Sequence, residues 1–481
     1  MFWRGMIGYL PANVVQGVVG LLTIVTFTRL LTPSQFGAYA LGFSLMSLTH
    51  TCLFTWNEAA MARFWAGAAQ RGEATAHLAT VYRLWLVLLP ALPVAAAVAV
   101  VWPMTGDVRL AALAGLAAVL PRTLTKLVQE RRRAAGEVKG SALLDIAQTL
   151  GGFAVGAGLA WMGAGAASPL LGAAVAGMIC AAVVAGGEFG LATAGRYEAA
   201  RARTYASSGV PVSASLILAL ALATTDRFLL AAFLDETAVG VYHAGYSLAN
   251  RTLDVAFIWL GAAGGPALIL ALERGGAGAV RDAARQQAAV MLMLTLPAAA
   301  GLALVAQPLA EIIVGPGLRE GAARVTPWIA ASALLSGLTT YYFSQAFTLA
   351  RRTGRLLLAM AIPAAVNIGL NLVLIPRFGL EGALAATVAS YALGLLMSVG
   401  LGRGPMALPI PWGTLAQTMF ATLIMAIVVG RLPALGGLVE LALKASVGGA
   451  TYGGLVIAMD AGGLRGWCGQ ALRARRARPA T

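Results

Sequence analysis

The 481-residue chain has few charged residues. Asp, Glu, Lys and Arg together make up only 11% of it, whereas a soluble domain has about 25%. So few charges cannot cover the water-facing surface of a protein of this size, in which 59% of the residues are hydrophobic. The composition therefore excludes a soluble protein and indicates one that is embedded in a membrane.

Cysteine, histidine and the motifs of enzymes are also scarce. The three cysteines and three histidines are scattered and isolated: Cys52, Cys180, Cys468, His50, His77 and His243. This scatter predicts neither a disulfide framework nor a metal site. The sequence contains no Walker loop, no paired-carboxylate site and no nucleophile motif. We therefore expect no enzymatic activity, no bound metal or cofactor and no ATP-driven pump within this chain.

Long apolar runs dominate the sequence, and its mean hydropathy is +0.80. Many runs are near 20 residues, the length with which a helix crosses roughly 30 Å of hydrocarbon. They do not alternate with period two, so a β-barrel is excluded and the spans must be helical. We predict an all-α polytopic membrane protein with about fourteen transmembrane helices. Their limits are near 8–30, 38–60, 80–104, 108–128, 141–163, 168–190, 207–234, 238–264, 287–313, 325–348, 355–376, 380–402, 412–431 and 437–459.

The basic residues indicate the orientation. With the N-terminus inside, the clusters at 131–133, 351–355 and 465–478 all fall in cytoplasmic segments, and the outer segments hold few basic residues. The positive-inside rule then predicts that both termini are cytoplasmic, so the net charge of +15 needs no nucleic-acid partner. The basic tail could lie on anionic lipid headgroups or be solvated. The first apolar stretch lacks a cleavage site and is predicted to be a helix, not a signal peptide.

A ten-residue pattern occurs twice. FGAYALGFSL at 36–45 returns as VGVYHAGYSL at 239–248, an offset of 203 residues. Six predicted spans separate the copies, so both have the same orientation and form a parallel repeat. We predict two six-helix lobes related by a pseudo-twofold axis along the membrane normal, with a cleft between them. The predicted parts are an N-lobe at 1–195, a cytoplasmic hinge at 196–206, a C-lobe at 207–403, helices 13 and 14 at 404–464 and a basic tail at 465–481.

Three stretches carry a resemblance to a known family: TRLLTPSQFGAYAL, TDRFLLAAFLDETAVGVYHAGYSLAN and NLVLIPRFGLEGALAATVASYAL. They resemble bacterial polysaccharide-unit flippases, whose superfamily also contains multidrug extruders and the peptidoglycan-lipid flippase. The resemblance implies translocation of an undecaprenyl-pyrophosphate-linked oligosaccharide to the periplasmic leaflet of the bacterial inner membrane by alternating access. This step serves exopolysaccharide, capsule or O-antigen (lipopolysaccharide) synthesis. A monomer is implied, with a polysaccharide polymerase and a chain-length regulator as possible partners.

Several ionisable residues lie in or beside the spans. Burying such groups in a membrane is costly, so each is a functional hypothesis, and Arg presents a fork suited to phosphate. The candidate substrate-binding residues are Arg29, Arg122, Lys126, Arg227, Arg251, Glu58 and Arg63. Arg29-Leu30-Leu31 precedes Gly37 as Arg227-Phe228-Leu229 precedes Gly240, with a gap difference of five residues. We interpret Arg29 and Arg227 as equivalent and predict that each lobe offers one of them to the pyrophosphate. Arg122 and Lys126 are four residues apart on one helix face and would form a second rung.

Structural interpretations of the same residues stay open. Arg29 and Lys126 could extend to the membrane interface, and Arg227 could pair with an acid of the first lobe. Arg251 could be neutralised by Asp254, three residues away. Glu58 and Arg63 could simply mark the entry into a cytoplasmic loop.

A second set of polar residues could bind a coupling cation. Asp226 lies in span seven, Asn367 and Asn371 lie four residues apart in span eleven, and Thr387 follows in span twelve. Oxygen ligands of this kind suit small cations. The set is similar to the sodium site of the related peptidoglycan-lipid flippases, in which an acid stands where this chain has Asn371. A sodium or proton gradient is therefore the expected driving force, and interhelical hydrogen bonds are the alternative.

Two other functions compete with the flippase hypothesis. A multidrug or cation antiporter of the same superfamily would have about twelve spans and an acid-rich lobe. A membrane glycosyltransferase or polymerase would carry a sizeable periplasmic loop. The Arg-dominated spans argue against the first, and short outer connections such as TPSQFGA argue against the second.

Overall fold

The computed structural model describes residues 2–404 and 406–465, and this part of the chain contains sixteen α-helices and no strand. A π-helical turn, Thr339–Phe343, joins α12 to α13. The helices are α1 Phe2–Leu30, α2 Pro33–Leu53, α3 Thr55–Gln70, α4 Ala74–Leu88, α5 Ala91–Val101, α6 Gly106–Ala134, α7 Val138–Trp161, α8 Ser168–Thr193, α9 Ala199–Phe233, α10 Glu236–Leu304, α11 Ala306–Ile313, α12 Arg319–Leu338, α13 Gln345–Leu349, α14 Thr353–Leu401, α15 Trp412–Gly430 and α16 Gly437–Ala458.

The predicted all-α membrane architecture is confirmed. Ten helices in the described ranges are long and apolar enough to cross a membrane. Two of them are double, because α10 and α14 each turn at a glycine with positive φ: Gly276 at 61° and Gly379 at 56°. Only glycine adopts such a conformation at little cost. The pairs α2–α3, α4–α5 and α12–α13 each form one long segment. Counted in this way, the described chain contains the predicted fourteen transmembrane segments.

Both copies of the repeat begin at a side-chain helix cap. The Thr32 hydroxyl accepts a hydrogen bond from the Gln35 backbone N–H, and the Gln35 side chain accepts one from Thr32 N–H. In the second copy the Asp235 carboxylate accepts from the Ala238 N–H at 2.7 Å. Thr32 and Asp235 are 203 residues apart, so the repeat includes the caps that start α2 and α10. These caps explain why α2 begins at Pro33, five residues before the predicted span.

The described chain groups into two compact units. Unit 1 runs up to His243 and includes Gly315–Leu318, whereas unit 2 contains Ala244–Val314 and the chain from Arg319 on. This grouping differs from the predicted lobes, because α9 packs against α2, α3 and α4 and so belongs with the preceding helices. Residues 199–206 of the predicted hinge form the first turns of α9. The predicted basic tail lies outside the described residues beyond residue 465.

The first glycines of the two repeat copies contact each other within unit 1. A Cβ at Gly37 would collide with the Glu236 carbonyl, and a Cβ at Gly240 would collide with the Pro33 carbonyl. Pro33 and Glu236 are themselves equivalent in the repeat, so the contact is reciprocal. Reciprocal contacts are typical of surfaces related by a twofold axis. The repeated Gly therefore permits the close approach of α2 and the start of α10.

The second glycine of each copy makes the same kind of approach to a different helix. In unit 1, a Cβ at Gly42 would lie 2.5 Å from the Ala111 carbonyl oxygen of α6. In unit 2, a Cβ at Gly245 would lie 2.9 Å from the Ala322 carbonyl oxygen of α12. Small residues are the usual means by which membrane helices approach this closely. Each copy of the repeat thus encodes two close helix contacts.

Candidate functional site

Two cations lie on one face of α6 inside unit 1. Arg122 and Lys126 are half-buried, and both interact electrostatically with Glu58 of α3 and Asp145 of α7. The α6 helix presents them together because residues four apart share a face. We call Glu58, Arg122, Lys126 and Asp145, together with His50, the charged core. It combines two positive and two negative side chains within the helices of unit 1.

His50 and Glu58 are hydrogen-bonded across a helix break. The His50 Nε2 atom lies 2.7 Å from Glu58 Oε1, and both side chains are buried. Eight residues of straight helix would separate the two Cα atoms by about 12 Å along the axis. The break at Phe54, between α2 and α3, lets the side chains meet. The prediction that His50 is isolated is therefore wrong.

Asp145 was not among the predicted site residues. It is buried on α7, and the Gln16 side chain of α1 donates to its Oδ2 at 2.5 Å. A signal was available, because Asp145 falls within the predicted span 141–163 and an acid there is costly. Through Asp145 the charged core extends from α3 and α6 to α7 and α1.

Arg227 and Asp226 are both buried on α9, with exposed fractions of 4% and 1%. The Arg227 guanidinium donates to the Ser44 hydroxyl at 3.3 Å, and the Tyr242 hydroxyl donates to Asp226 Oδ2 at 2.7 Å. Ser44 belongs to the first repeat copy and Tyr242 to the second. The two neighbouring side chains of α9 are thus held by different copies of the repeat.

Arg29 and Arg227 do not occupy equivalent positions, so this part of the prediction is wrong. Arg29 lies three residues before the Thr32 cap, whereas Arg227 lies eight residues before the Asp235 cap. The sequence comparison placed a five-residue gap here, but α9 is helical up to Phe233 and has no loop to absorb it. Arg29 is exposed and donates to the Val25 carbonyl at 2.8 Å.

The remaining predicted substrate residues are exposed. Arg63 lies over the Phe64 ring, with its guanidinium carbon 5.6 Å from the ring centroid. Glu58, by contrast, is buried and paired with His50. Arg251 is also exposed. The nearby Asp254 carboxylate accepts a hydrogen bond from the Asn250 side chain at 2.5 Å. The structure therefore brings Glu58, Arg122 and Lys126 together. A role of Arg29, Arg63 and Arg251 in substrate binding stays a prediction.

The predicted cation ligands of α14 are buried in unit 2. The Asn371 side chain donates to Asn367 Oδ1 at 3.0 Å, and the Thr387 hydroxyl donates to the Ala383 carbonyl at 2.8 Å. Asp226, the fourth predicted ligand, belongs to unit 1. Cation binding by these four residues stays a prediction.

A second buried ion pair of unit 1 was also missed. Arg131 of α6 contacts Glu188 of α8, with Nη2 lying 2.8 Å from Oε1, and Tyr82 of α4 donates to Glu188 at 3.2 Å. From the sequence, Arg131 is expected only as part of the cytoplasmic charge pattern. Its fork matches a carboxylate in two-point geometry, so this pair ties α4, α6 and α8 together.

Comparison with known proteins identifies the family. A model for polysaccharide biosynthesis proteins matches residues 26–318. The chain belongs to this family. No curated protein sequence matches the chain.

Solved structures agree with that assignment. The lipid II flippase MurJ in its inward closed conformation aligns with a TM-score of 0.79 at 12% identity, covering 94% of this chain and 99% of that one. An inward-facing multidrug resistance MATE family transporter of the MOP superfamily aligns at 0.63 and 15% identity, covering 82% of this chain and 93% of that one.

The predicted resemblance is confirmed by these matches. The protein is a multi-pass membrane protein of a polysaccharide biosynthesis family with the fold of MOP-superfamily flippases and transporters. At these identities the likeness of the solved structures concerns the fold, and function has to be argued from the residues.

Proposed function

We propose that this protein is a flippase that moves an undecaprenyl-pyrophosphate-linked oligosaccharide from the cytoplasmic to the periplasmic leaflet of the bacterial inner membrane by alternating access. The observation that carries the proposal is the charged core, which holds Arg122 and Lys126 on one face of α6 among the helices of unit 1. A pyrophosphate carries at least two negative charges and cannot cross hydrocarbon without such partners. The family assignment supports the same substrate class.

The core binds the pyrophosphate by exchanging one set of anions for another. Before substrate arrives, Glu58 and Asp145 partly neutralise Arg122 and Lys126. The pyrophosphate then competes for these cations, with the Arg fork contacting two oxygens and Lys acting as a point charge. At a separation of 4 Å and an effective dielectric constant of 20, each such charge pair is worth about 4 kcal/mol.

The displaced carboxylates keep partners of their own. His50 stays hydrogen-bonded to Glu58, and Gln16 stays bonded to Asp145. This matters because a buried charge that loses every partner destabilises a protein by about 3–5 kcal/mol. His50 and Gln16 therefore lower the free-energy cost of the step in which Arg122 and Lys126 exchange their carboxylate partners for the substrate.

Coupling to an ion gradient is the second part of the proposal. A sodium ion or proton at Asp226 neutralises a buried carboxylate that neighbours Arg227. Such a local change of charge biases a two-state transporter toward one conformation. Asp226→Asn tests this in proteoliposomes, where we expect flipping to lose its dependence on the gradient. Full dependence in the variant would contradict the role of Asp226.

The flippase activity itself is tested by complementation in the source organism. Cells that lack the protein should accumulate lipid-linked oligosaccharide and lose the polysaccharide, and the wild-type gene should reverse both effects. The double variant Arg122→Gln/Lys126→Gln should reach the membrane at normal levels. It should restore at most about one tenth of the polysaccharide, because a loss of 1.4 kcal/mol in binding free energy already lowers the affinity tenfold. Lys139→Gln is the matched control, because Lys139 is an exposed cation at the start of α7. We expect a polymerase and a chain-length regulator to act on the flipped product.

Full complementation by the double variant would contradict the proposed role of the charged core. Normal lipid-linked oligosaccharide levels in cells without the protein would contradict the flippase proposal as a whole.

A further inference from the structure

Unit 2 contains a π-helical turn between α12 and α13. The turn, Thr339–Phe343, is closed by a hydrogen bond from Ser344 N–H to the Thr339 carbonyl at 2.8 Å. Two side-chain amides donate to the Tyr341 carbonyl, Gln287 at 3.3 Å and Gln345 at 2.5 Å. Single π-turns are rare in helices and occur frequently at functional sites. This one is fixed by specific side chains, and it determines where Tyr341 points.

The Tyr341 ring lies on an aromatic neighbour. It stacks on Phe257 of α10 with centroids 5.9 Å apart and planes 13° apart. Phe257 is fully buried, whereas Tyr341 keeps part of its surface accessible. Two glycines make room for the pair, since a Cβ at Gly337 would collide with Phe257 and one at Gly261 would lie 2.5 Å from the Tyr341 ring. The stack is therefore a built feature of unit 2.

Polar groups continue from the stack along α10. Asn250, Asp254, Phe257 and Gly261 follow one another at intervals of four, three and four residues, which places them on one helix face. Asp254 is half-buried and interacts electrostatically with Tyr341. A carboxylate offers about four acceptor positions, and the Asn250 amide fills one of them. We call Asn250, Asp254, Phe257, Gly261 and Tyr341 the π-turn face.

The chemistry of this face matches that of a sugar ring. A pyranose presents an apolar face of C–H groups, which packs on an aromatic ring, and an edge of hydroxyl donors, which bind carboxylate and amide oxygens. Tyr341 offers the first partner, and Asp254 and Asn250 offer the second. None of its five residues is a cation, which distinguishes it from the charged core, although the exposed Arg251 beside it interacts electrostatically with Asp254.

We propose that Asn250, Asp254 and Tyr341 form a subsite that binds a sugar residue of the lipid-linked oligosaccharide. This inference rests on the proposed function and adds to it the part of the molecule that recognises the glycan. The π-turn face would distinguish glycosylated from bare lipid. An acid beside an aromatic ring also suits an organic cation, and the test includes that ligand.

The experiment measures equilibrium binding to the purified full chain. Its two lipid probes are undecaprenyl pyrophosphate and the lipid-linked oligosaccharide extracted from cells of the source organism that lack the protein. Tyr341→Leu and Asp254→Asn should each weaken binding of the glycosylated probe about tenfold, which corresponds to 1.4 kcal/mol, and leave bare-lipid binding unchanged. Trp259→Leu is the control, because Trp259 is a 72% exposed aromatic residue on another face of α10.

Wild-type protein that binds both lipids equally well overturns the subsite while leaving the flippase proposal intact. Equal weakening of both probes by the variants also overturns it, because that result indicates a structural role. A third outcome would assign the face to organic cations instead. In that case the wild type binds tetraphenylphosphonium, Asp254→Asn weakens this binding, and the same variant binds the glycosylated lipid as well as the wild type does. Wild-type protein that binds neither lipid contradicts the proposed function and the subsite together.

Discussion

The charged core of unit 1 and the π-turn face of unit 2 are both polar regions of a largely apolar protein, but they are built from different chemistry. The core consists of opposite charges on α3, α6 and α7 with a histidine on α2. The π-turn face consists of stacked rings, side-chain amides and one carboxylate. Charge recognises phosphate at a distance and with little regard to shape, whereas a ring and fixed acceptors recognise a surface. The difference matches the two roles that we propose, anion binding by the charged core and glycan recognition by the π-turn face.

The largest effect on stability should come from the aromatic stack. Phe257→Ala removes a fully buried ring that contacts Tyr341, so we expect a loss of about 3–5 kcal/mol in the free energy of unfolding. Thermal unfolding in detergent, followed by size-exclusion chromatography, measures it. Phe378→Ala is the control, since Phe378 is 61% exposed. Equal losses in the two variants would show that the stack is not specially stabilising.

A smaller effect is expected at the repeated glycine. Gly37→Ala places a methyl group against the Glu236 carbonyl, so the helices must separate at a cost of about 1–3 kcal/mol. Gly158→Ala is the matched control, because a Cβ there meets nothing within 4 Å and alanine favours helix. The same unfolding assay compares them. An unaffected Gly37→Ala variant would contradict the close reciprocal contact of the two repeat copies.

The His50–Glu58 pair tests whether the core is a coupled network. We expect a coupling energy of about 0.5–3 kcal/mol from the double-mutant cycle of His50→Ala and Glu58→Gln, because the side chains share a buried hydrogen bond. Unfolding midpoints of the wild type, both single variants and the double variant give this energy. Additive losses would mean that His50 and Glu58 act independently.

The smallest effect is a pH dependence outside the membrane-spanning helices. Hydrogen bonds from Arg71 and Arg201 hold the pKa of the Glu73 carboxyl below its usual value. The stability that this group contributes is therefore present above about pH 4.3, its unfolded pKa, and is lost as the pH falls through the folded pKa. Glu73→Gln should therefore reduce the fall of the unfolding midpoint as the pH drops below about 4.3. An unchanged pH profile would contradict the contribution of Glu73.

The sequence predicted the architecture better than the site. Apolar runs suffice for the fourteen segments, since the bilayer sets their length and the backbone must bond within each helix. They mark Asp145 as an acid within a predicted span, but they do not reveal that helix packing brings it near Arg122 and Lys126. The break at Phe54 has no glycine or proline to mark it, so the meeting of His50 with Glu58 was hidden as well.

The error about Arg29 has a related cause. The sequence alignment of the two repeat copies allowed a gap after Arg227, but the caps at Thr32 and Asp235 fix the helix register without a gap. Aligning the capping residues along with the glycines would have separated Arg29 from Arg227. Arg122 and Lys126 were predicted correctly as neighbours, because a four-residue spacing on one helix needs no knowledge of packing.

The central claim is that the charged core carries the pyrophosphate across the membrane, and translocation in proteoliposomes tests it most directly. The lipid-linked oligosaccharide extracted from deletion cells is placed in one leaflet, and its appearance in the other is timed for the wild type, Arg122→Gln/Lys126→Gln and Lys139→Gln. We expect the double variant to be slower by at least about tenfold and Lys139→Gln to match the wild type. Equal rates for the wild type and the double variant would contradict the central claim.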